Sequence, residues 1–324
     1  MNVVYLIPKD VFEQKLDRDR FAAVNAIKRH LRTKQKGNLV YSGPGWHTWD
    51  VAKPAMDNLK TIFPNIEFDL AILYHMHDVK GVAELPIIKV MCCSEMYCDR
   101  ILHRYRLNNP DYLILHHTVE EERVREVLKV PTYHIPHGCD HTQFHPNPDV
   151  AKSIDFTLIG RLDDKVYPLR SMFYYKVIPR LRTLGYTCYI HRHPGYKLKN
   201  PNAAVQNYIR AIQKSKIVLT CSSMYKYRLC KYGEVPMCGS ALAADLPHDG
   251  ADFFKSFLIE INPTWSVDRI VATLIDALPR WTQYATIGRQ LTLESFKQTD
   301  YADRFLSTYE QFCHEDGGPL KGNA

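Results

Sequence analysis

The feature that most constrains this chain is a repeated alternation of short apolar runs with longer segments of helical spacing. The runs are Val3–Ile7, Leu39–Tyr41, Leu70–Tyr74, Ile87–Cys93, Tyr112–Leu115, Thr132–Ile135, Phe156–Ile159, Cys188–His191, Ile217–Thr220 and Ala241–Ala244. Between them, Arg20–Leu31, Ser94–Arg106, Glu120–Leu128, Leu169–Leu184 and Asn202–Lys214 carry apolar residues at helical intervals. A strand covered on both faces reads as an unbroken apolar run, and parallel strands need a helical crossover between them. The pattern therefore predicts an α/β chain with parallel sheets and helices on both faces. After Pro263 the rhythm becomes helical, through Val267–Leu278, Gln283–Glu294 and Tyr301–Phe312. At 324 residues there is chain enough for two α/β domains, each with its own core. The tract HPNPDVAK, His145–Lys152, reads as a linker because its prolines suit neither helix nor sheet interior. The expected domains are residues 1–148 and 149–300, with 301–324 a C-terminal helix and tail.

Composition narrows the class. No apolar run reaches the roughly 18 residues of a membrane span, and the opening MNVVYLIPKD reads as a strand without a basic n-region. The nine cysteines are odd in number and scattered beside apolar segments, which suits reduced thiols and a cytoplasmic location rather than a disulfide framework. Cys93 and Cys98 lack a second pair of ligands, so no metal is expected. Charge is segregated: residues 161–232 hold 15 Lys and Arg against two acids, whereas residues 233–324 hold 7 against 13. The basic stretch is either a solvated face or a site for a polyanion such as a diphosphate or a nucleic-acid backbone.

The most informative motif is KYGEVPMCGSALAADLP, Lys231–Pro247, a helix-to-strand unit with a small-residue turn at Gly239. In open parallel sheets ligands gather at the carboxyl ends of strands, near helix N-termini that favour anions. Glu234 could accept both hydroxyls of a ribose, or could simply complement the helix dipole. The segment resembles the donor-site motif of retaining GT-B glycosyltransferases, and more closely that of the CgeB-like group. IPHGCDHTQFHPNP (Ile135–Pro148), FTLIGRL (Phe156–Leu162), YPLR (Tyr167–Arg170), HRHPGY (His191–Tyr196) and SKIVLTCSS (Ser215–Ser223) follow that group's order. The resemblance implies two Rossmann-like α/β/α domains facing a cleft, with C-terminal helices. It implies a nucleotide-sugar, UDP- or GDP-linked, as donor, held around Arg161, Lys165, His193, Ser222, Lys226, Arg228, Glu234 and Gly239, with Arg161 and Lys165 on the pyrophosphate. No separate cofactor or metal is implied, since basic groups replace the cation.

Two departures stand out. Lys226 occupies the position of an additional Glu in the larger retaining family, so other groups must hold the sugar. The glycine-rich turn usual after the first strand is replaced by Pro8-Lys9-Asp10, and SGPGWHTW (Ser42–Trp49) either takes its place or forms an ordinary turn. On the acceptor side, Glu95 at the end of a buried strand and His137 in the crossing loop are the candidate catalytic bases. The basic tract Lys28–Lys36 either closes its helix or meets an anionic acceptor, which could be a lipid-linked glycan, a peripheral membrane surface or DNA. Sugar transfer to a hydroxyl of a glycan, glycolipid or modified DNA is the expected activity, retaining and metal-independent. Its rivals are a sugar-nucleotide epimerase and a non-catalytic nucleotide-sugar-binding module, the latter suggested by Lys226.

Overall fold

A computed structural model describes residues 1–14, 18–34, 37–94, 96–195 and 198–315. The chain divides into two compact units, one formed by Met1–His137 with the chain from Thr299 onward, the other by Gly138–Gln298.

In the first unit six strands form a parallel sheet: β1 (Asn2–Leu6), β2 (Asn38–Ser42), β3 (Leu70–Leu73), β4 (Ile88–Cys93), β5 (Tyr112–Leu115) and β6 (Thr132–His134), in the order β2-β1-β3-β4-β5-β6. Its helices are α1 (Lys9–Gln14), α2 (Arg18–Thr33), α3 (Ala55–Ile62), α4 (Asp99–Leu107) and α5 (Glu121–Leu128). Because side chains alternate across a strand, each apolar run feeds two cores. Val3, Tyr5 and Ile7 pack with Val24, Ile27 and Leu31 of α2 and with Tyr301, Phe305 and Phe312 of the C-terminal helix Gln298–Glu315. Val4 and Leu6 point the other way, onto Leu59, Leu102 and Val124 of α3, α4 and α5. Each such side chain contributes roughly 1.5–3 kcal/mol by leaving water.

The second unit is a five-stranded parallel sheet of β7 (Ile154–Gly160), β8 (Cys188–Arg192), β9 (Ser215–Leu219), β10 (Ala241–Ala244) and β11 (Ile259–Glu260), ordered β11-β10-β9-β7-β8. Helices α6 (Pro168–Met172), α7 (Ile178–Thr183), α8 (Pro201–Gln213), α9 (Lys231–Met237), α10 (Ala251–Lys255), α11 (Val267–Ala277) and α12 (Trp281–Ser295) surround it. A single π turn, Phe173–Val177, joins α6 to α7. It is explained by Pro179, whose ring would collide with the Tyr175 carbonyl in a regular helix. Asn200 caps α8, its Oδ1 accepting from the Ala203 N–H at 3.0 Å, with Pro201 in the first helical position. From β7 the chain goes first to β8 on one side and then back to β9 on the other, so strand order reverses between β7 and β9.

The division between the units falls at His137–Gly138, ahead of the His145–Lys152 tract read as a linker. That tract is fastened to the second unit: Gln213 Nε2 donates to the His145 carbonyl at 2.7 Å and Lys152 Nζ to Ser240 Oγ at 2.6 Å. Pro146 lies so close to Gly239 that an added Cβ there would come within 3.1 Å of its ring. The strand β11 and the helices α3 and α10 were invisible as periodicity, being short elements whose faces the tertiary structure alone defines, whereas α9 falls on the helix-to-strand unit read from Lys231–Pro247.

Candidate functional site

Where strand order reverses in a parallel sheet, the two adjacent loops leave in opposite directions and open a crevice at the carboxyl ends. In the second unit that point lies at Gly160–Arg161 after β7 and Thr220–Ser223 after β9, with Asp245 at the end of neighbouring β10.

The base of this edge is Arg170, in the first turn of α6 and only 1% exposed. Its Nη1 donates to the Arg161 carbonyl at 2.8 Å and its Nη2 contacts Thr220 Oγ1 at 3.3 Å, tying the β7 loop to the end of β9. The guanidinium lies 4.0 Å from the Tyr167 ring centroid, and Nε has no hydrogen-bond partner among the described residues. No carboxylate pairs with it there. Gly160 is required: at φ +109° an added Cβ would sit 2.8 Å from Arg170 Nη1 and 3.1 Å from Lys231 Cε. Arg161 is 56% exposed at the side chain and leans on Asp163 at 3.2 Å, while Lys165 is exposed, its N–H held by Asp163 Oδ1 at 3.2 Å.

Asp245 organises the other half of the edge. Its carboxylate accepts from the Ser222 N–H at 2.8 Å, from Ser222 Oγ at 2.6 Å and from Lys226 Nζ at 2.7 Å. Lys226 stays 47% exposed in this pair, whereas Asp245 is 4% exposed. Lys226 adopts φ +58° and Ser223 φ +71°, so the β9 loop turns sharply to bring Lys226 back over Asp245. Tyr232 Oη donates to the Asp245 carbonyl at 2.6 Å, and burial, reinforced by the Asp245 charge, holds its phenol well above the usual range. Arg228 is buried over the Phe296 ring at 4.3 Å. Sequence reasoning missed Asp245 and Lys231 and noted Arg170 only in passing. The signal for Asp245 was an acid closing a buried Ala-rich strand.

Several expected site residues are placed differently. Glu234 lies in the first turn of α9, but its side chain is fully buried and accepts a hydrogen bond from Tyr208 Oη at 2.6 Å. It is an internal acceptor because α8 packs against α9 and supplies a hydroxyl that the local sequence does not reveal. Gly239 closes α9 at φ +70° beneath Pro146, so its glycine is accounted for by the turn. His193 accepts from the Gly195 N–H at 3.0 Å and is half-buried. In the first unit His137 is buried, its ring 3.9 Å from that of His116 and 5.5 Å from that of His117. His137 and His116 together line a cavity of the first unit, with Tyr5, Cys92 and Tyr301. Glu95 lies outside the described residues, as does Lys36 of the basic tract. Within that tract His30 pairs with Asp303 at 2.9 Å, and Lys28 sits 4.8 Å above Tyr41. Trp46 is pinned by its indole N–H to the Ile7 carbonyl at 2.8 Å and stacked on Tyr41. Among the described residues no helix is long and apolar enough to cross a membrane.

Two parallel-sheet α/β units with this helical complement define the GT-B fold of glycosyltransferases. The chain is similar over 97% of its length to a sucrose-phosphate synthase from Thermosynechococcus elongatus, covering 99% of that chain at 12% identity and a TM-score of 0.64. A glycosyltransferase from Rickettsia africae gives 9% identity and a TM-score of 0.63, with 97% and 99% of the two chains covered. Anabaena HepE, solved with UDP-glucose, gives 10% identity and a TM-score of 0.61 over 96% of this chain and all of its own. No family model and no curated protein matches the sequence.

Proposed function

We propose that this protein is a glycosyltransferase that takes a sugar from a nucleoside-diphosphate sugar, with the diphosphate at the carboxyl ends of β7 and β9. The observation that carries the reading is Arg170, a buried guanidinium without a carboxylate partner among the described residues. Its hydrogen bond to the Arg161 carbonyl and its place over the Tyr167 ring offset the desolvation of the charge but leave it unneutralised, so beneath a strand-order reversal it can act on an anion in front of it. Arg161 and Lys165 stand exposed on the same loop and supply the contacts, and they offset the charge that grows on the leaving diphosphate. The UDP-glucose bound in HepE makes a UDP-linked donor the first to test.

Lys226, held by buried Asp245, which also accepts from Ser222, is the exposed polar group on the β10 side of the diphosphate, and we assign the sugar to it. Lys226, anchored on Asp245, stands where a carboxylate would otherwise meet the sugar hydroxyls. Glu234, fully buried and already accepting from Tyr208 at one oxygen, reaches a ribose only if the packing over it opens. Transfer is retaining and metal-independent, to a hydroxyl of a glycan, lipid-linked glycan or modified DNA, with Glu95 orienting or deprotonating that hydroxyl. A non-catalytic nucleotide-sugar module is the second reading, favoured by Lys226–Asp245 and Glu234–Tyr208, which already satisfy one another.

The test is a panel of UDP- and GDP-sugars measured by thermal shift, then by nucleotide release with and without an acceptor. A UDP-sugar that stabilises the protein and releases UDP when acceptor is added establishes the transferase. Binding with no release under any acceptor establishes the non-catalytic module, and no binding at all removes both. In the active case Glu95→Gln lowers release about 100-fold with donor binding unchanged.

A further inference from the structure

The cations of residues 161–232 do not all serve the site. Arg161, Lys165, Arg170, Lys226, Arg228 and Lys231 belong to the carboxyl ends of β7 and β9 or to the loops and helix beside them, and Lys216 is paired with Asp155 at 2.7 Å. Lys197 lies outside the described residues. The seven others are Lys176, Arg180, Arg182, Arg192, Lys199, Arg210 and Lys214, and every one is on or next to α6–α7, β8 or α8. These elements flank β8, the strand at one edge of the second sheet. The acid-rich part of this unit, carrying Asp252, Glu260, Asp268 and Asp276, lies on α10, β11 and α11, and β11 is the opposite edge strand. The two edge strands thus have neighbours of opposite charge, although α11 itself packs against α7 and the π turn. Among the described residues only Arg180 of the seven makes an ion pair, with Asp268 at 4.0 Å, and both partners are exposed.

Aromatic rings are interleaved with these cations. Tyr175 in the π turn is 61% exposed and Tyr189 in β8 is 44% exposed. Tyr174 accepts a hydrogen bond from Arg192 Nη2 and lies in the same cluster of rings, 4.8 Å from Tyr175. Alternation along β8 sends Cys188 and Ile190 to the face covered by α6 and α7, and Tyr189 and His191 to the face of α8, where His191 meets Tyr208 at 5.6 Å. The exposed rings therefore stand on both sides of one strand edge. A flat bilayer cannot touch both faces of a sheet at its edge strand at once, whereas a flexible polyanion with stackable rings can follow such an edge. Cations for a phosphate backbone and exposed tyrosines for bases are the combination that retains single-stranded nucleic acid. The edge also leads to the site, since Arg192 of β8 is in register with Gly160 of β7.

We propose that the β8 edge of the second unit is a docking surface for single-stranded nucleic acid. Docking there is independent of which sugar is transferred, and its test needs no donor. Fluorescence anisotropy of a labelled 20-nucleotide DNA strand, titrated with the full chain at several salt concentrations, reads it directly. With about four phosphate contacts, log K falls against log salt with a slope near −3, at about 0.7 per contact. Lys176→Gln with Arg180→Gln makes the slope shallower by about 1.4, and Tyr175→Ala weakens binding about tenfold at every salt concentration. A control pair in the first unit, Lys53→Gln with Lys60→Gln, leaves both quantities unchanged. Equal slopes in the parent and the Lys176/Arg180 variant overturn the assignment, as does equal loss in the control pair. Tighter binding to the duplex, or to vesicles rich in phosphatidylserine with no affinity for the strand, also overturns it.

Discussion

Replacing Arg170 by Met separates folding from ligand binding, because the structure gives the two effects different sizes. In the free protein the guanidinium keeps one good hydrogen bond, to the Arg161 carbonyl at 2.8 Å, one long contact to Thr220, and the Tyr167 ring at 4.0 Å. A hydrogen bond from a charged donor contributes about 1.5–3 kcal/mol and a desolvated cation–π contact about 2. Against these stands a desolvation penalty of several kcal/mol with no carboxylate to offset it. The balance is near zero, so Arg170→Met, which keeps the volume and sheds the charge, changes stability by no more than about 1 kcal/mol in either direction. Binding is another matter. At an effective dielectric of about 20, a fixed cation ~6–8 Å from a diphosphate contributes roughly 2–3 kcal/mol per unit charge. A loss of about 2 kcal/mol is ~30-fold in Kd. Urea unfolding with and without UDP measures both quantities. At 100 times its Kd, UDP stabilises the parent by about 2.7 kcal/mol, and at the same concentration the variant retains less than about 1. A variant destabilised by more than about 3 kcal/mol, yet still stabilised by UDP as much as the parent, would refute the reasoning: Arg170 would then be a packing residue and the anion site would lie elsewhere.

Three further outcomes follow from the same geometry. Gly160→Ala combines positive φ with a collision at Arg170 Nη1 and should lower stability by about 2 kcal/mol or more; adding Arg170→Met should relieve part of that loss, and additivity in a double-mutant cycle would count against the contact. Glu234→Ala leaves the Tyr208 hydroxyl buried without its acceptor and should destabilise the free protein by about 1–3 kcal/mol, visible in unfolding before any ligand is added. Burial pulls the Lys152 ammonium down to about 8, so between about pH 8 and 10.5 the unfolded chain holds a proton that the folded one has shed, and this group's contribution to stability rises with pH. Lys152→Met should therefore be the more stable protein at pH 7 and lose its advantage by up to about 2–3 kcal/mol towards pH 10; parallel pH profiles for parent and variant would exclude the effect.

The fold class was legible because its physics is local. A parallel strand covered on both faces must be apolar at consecutive positions, and Val3–Ile7, Tyr112–Leu115 and Ile217–Thr220 carry that mark without reference to the rest of the chain. The helices over Arg18–Thr33, Pro168–Thr183 and Val267–Ala277 show their buried stripe in the same way. Arg161 could be placed directly after a strand of the second unit for the same reason. The two residues of β11, Ile259–Glu260, carried too little signal to see.

The alternation of elements, the parallel character of both sheets and the segregation of basic from acidic residues could be read from the chain alone. Only the tertiary structure decided the strand orders, and with them the reversal between β7 and β9 that makes one edge a site. It also decided which cations are buried, which are paired and which face water. Arg170 and Arg192 are both arginines in a basic stretch, yet one lies beneath a crevice and the other borders an open edge. Glu234 shows the same dependence, since the hydroxyl that occupies it belongs to Tyr208 on another helix. The physical reason is range. Periodicity and propensity act over a turn or a strand, whereas desolvation and hydrogen-bond partnership are set by groups that meet only when distant segments pack.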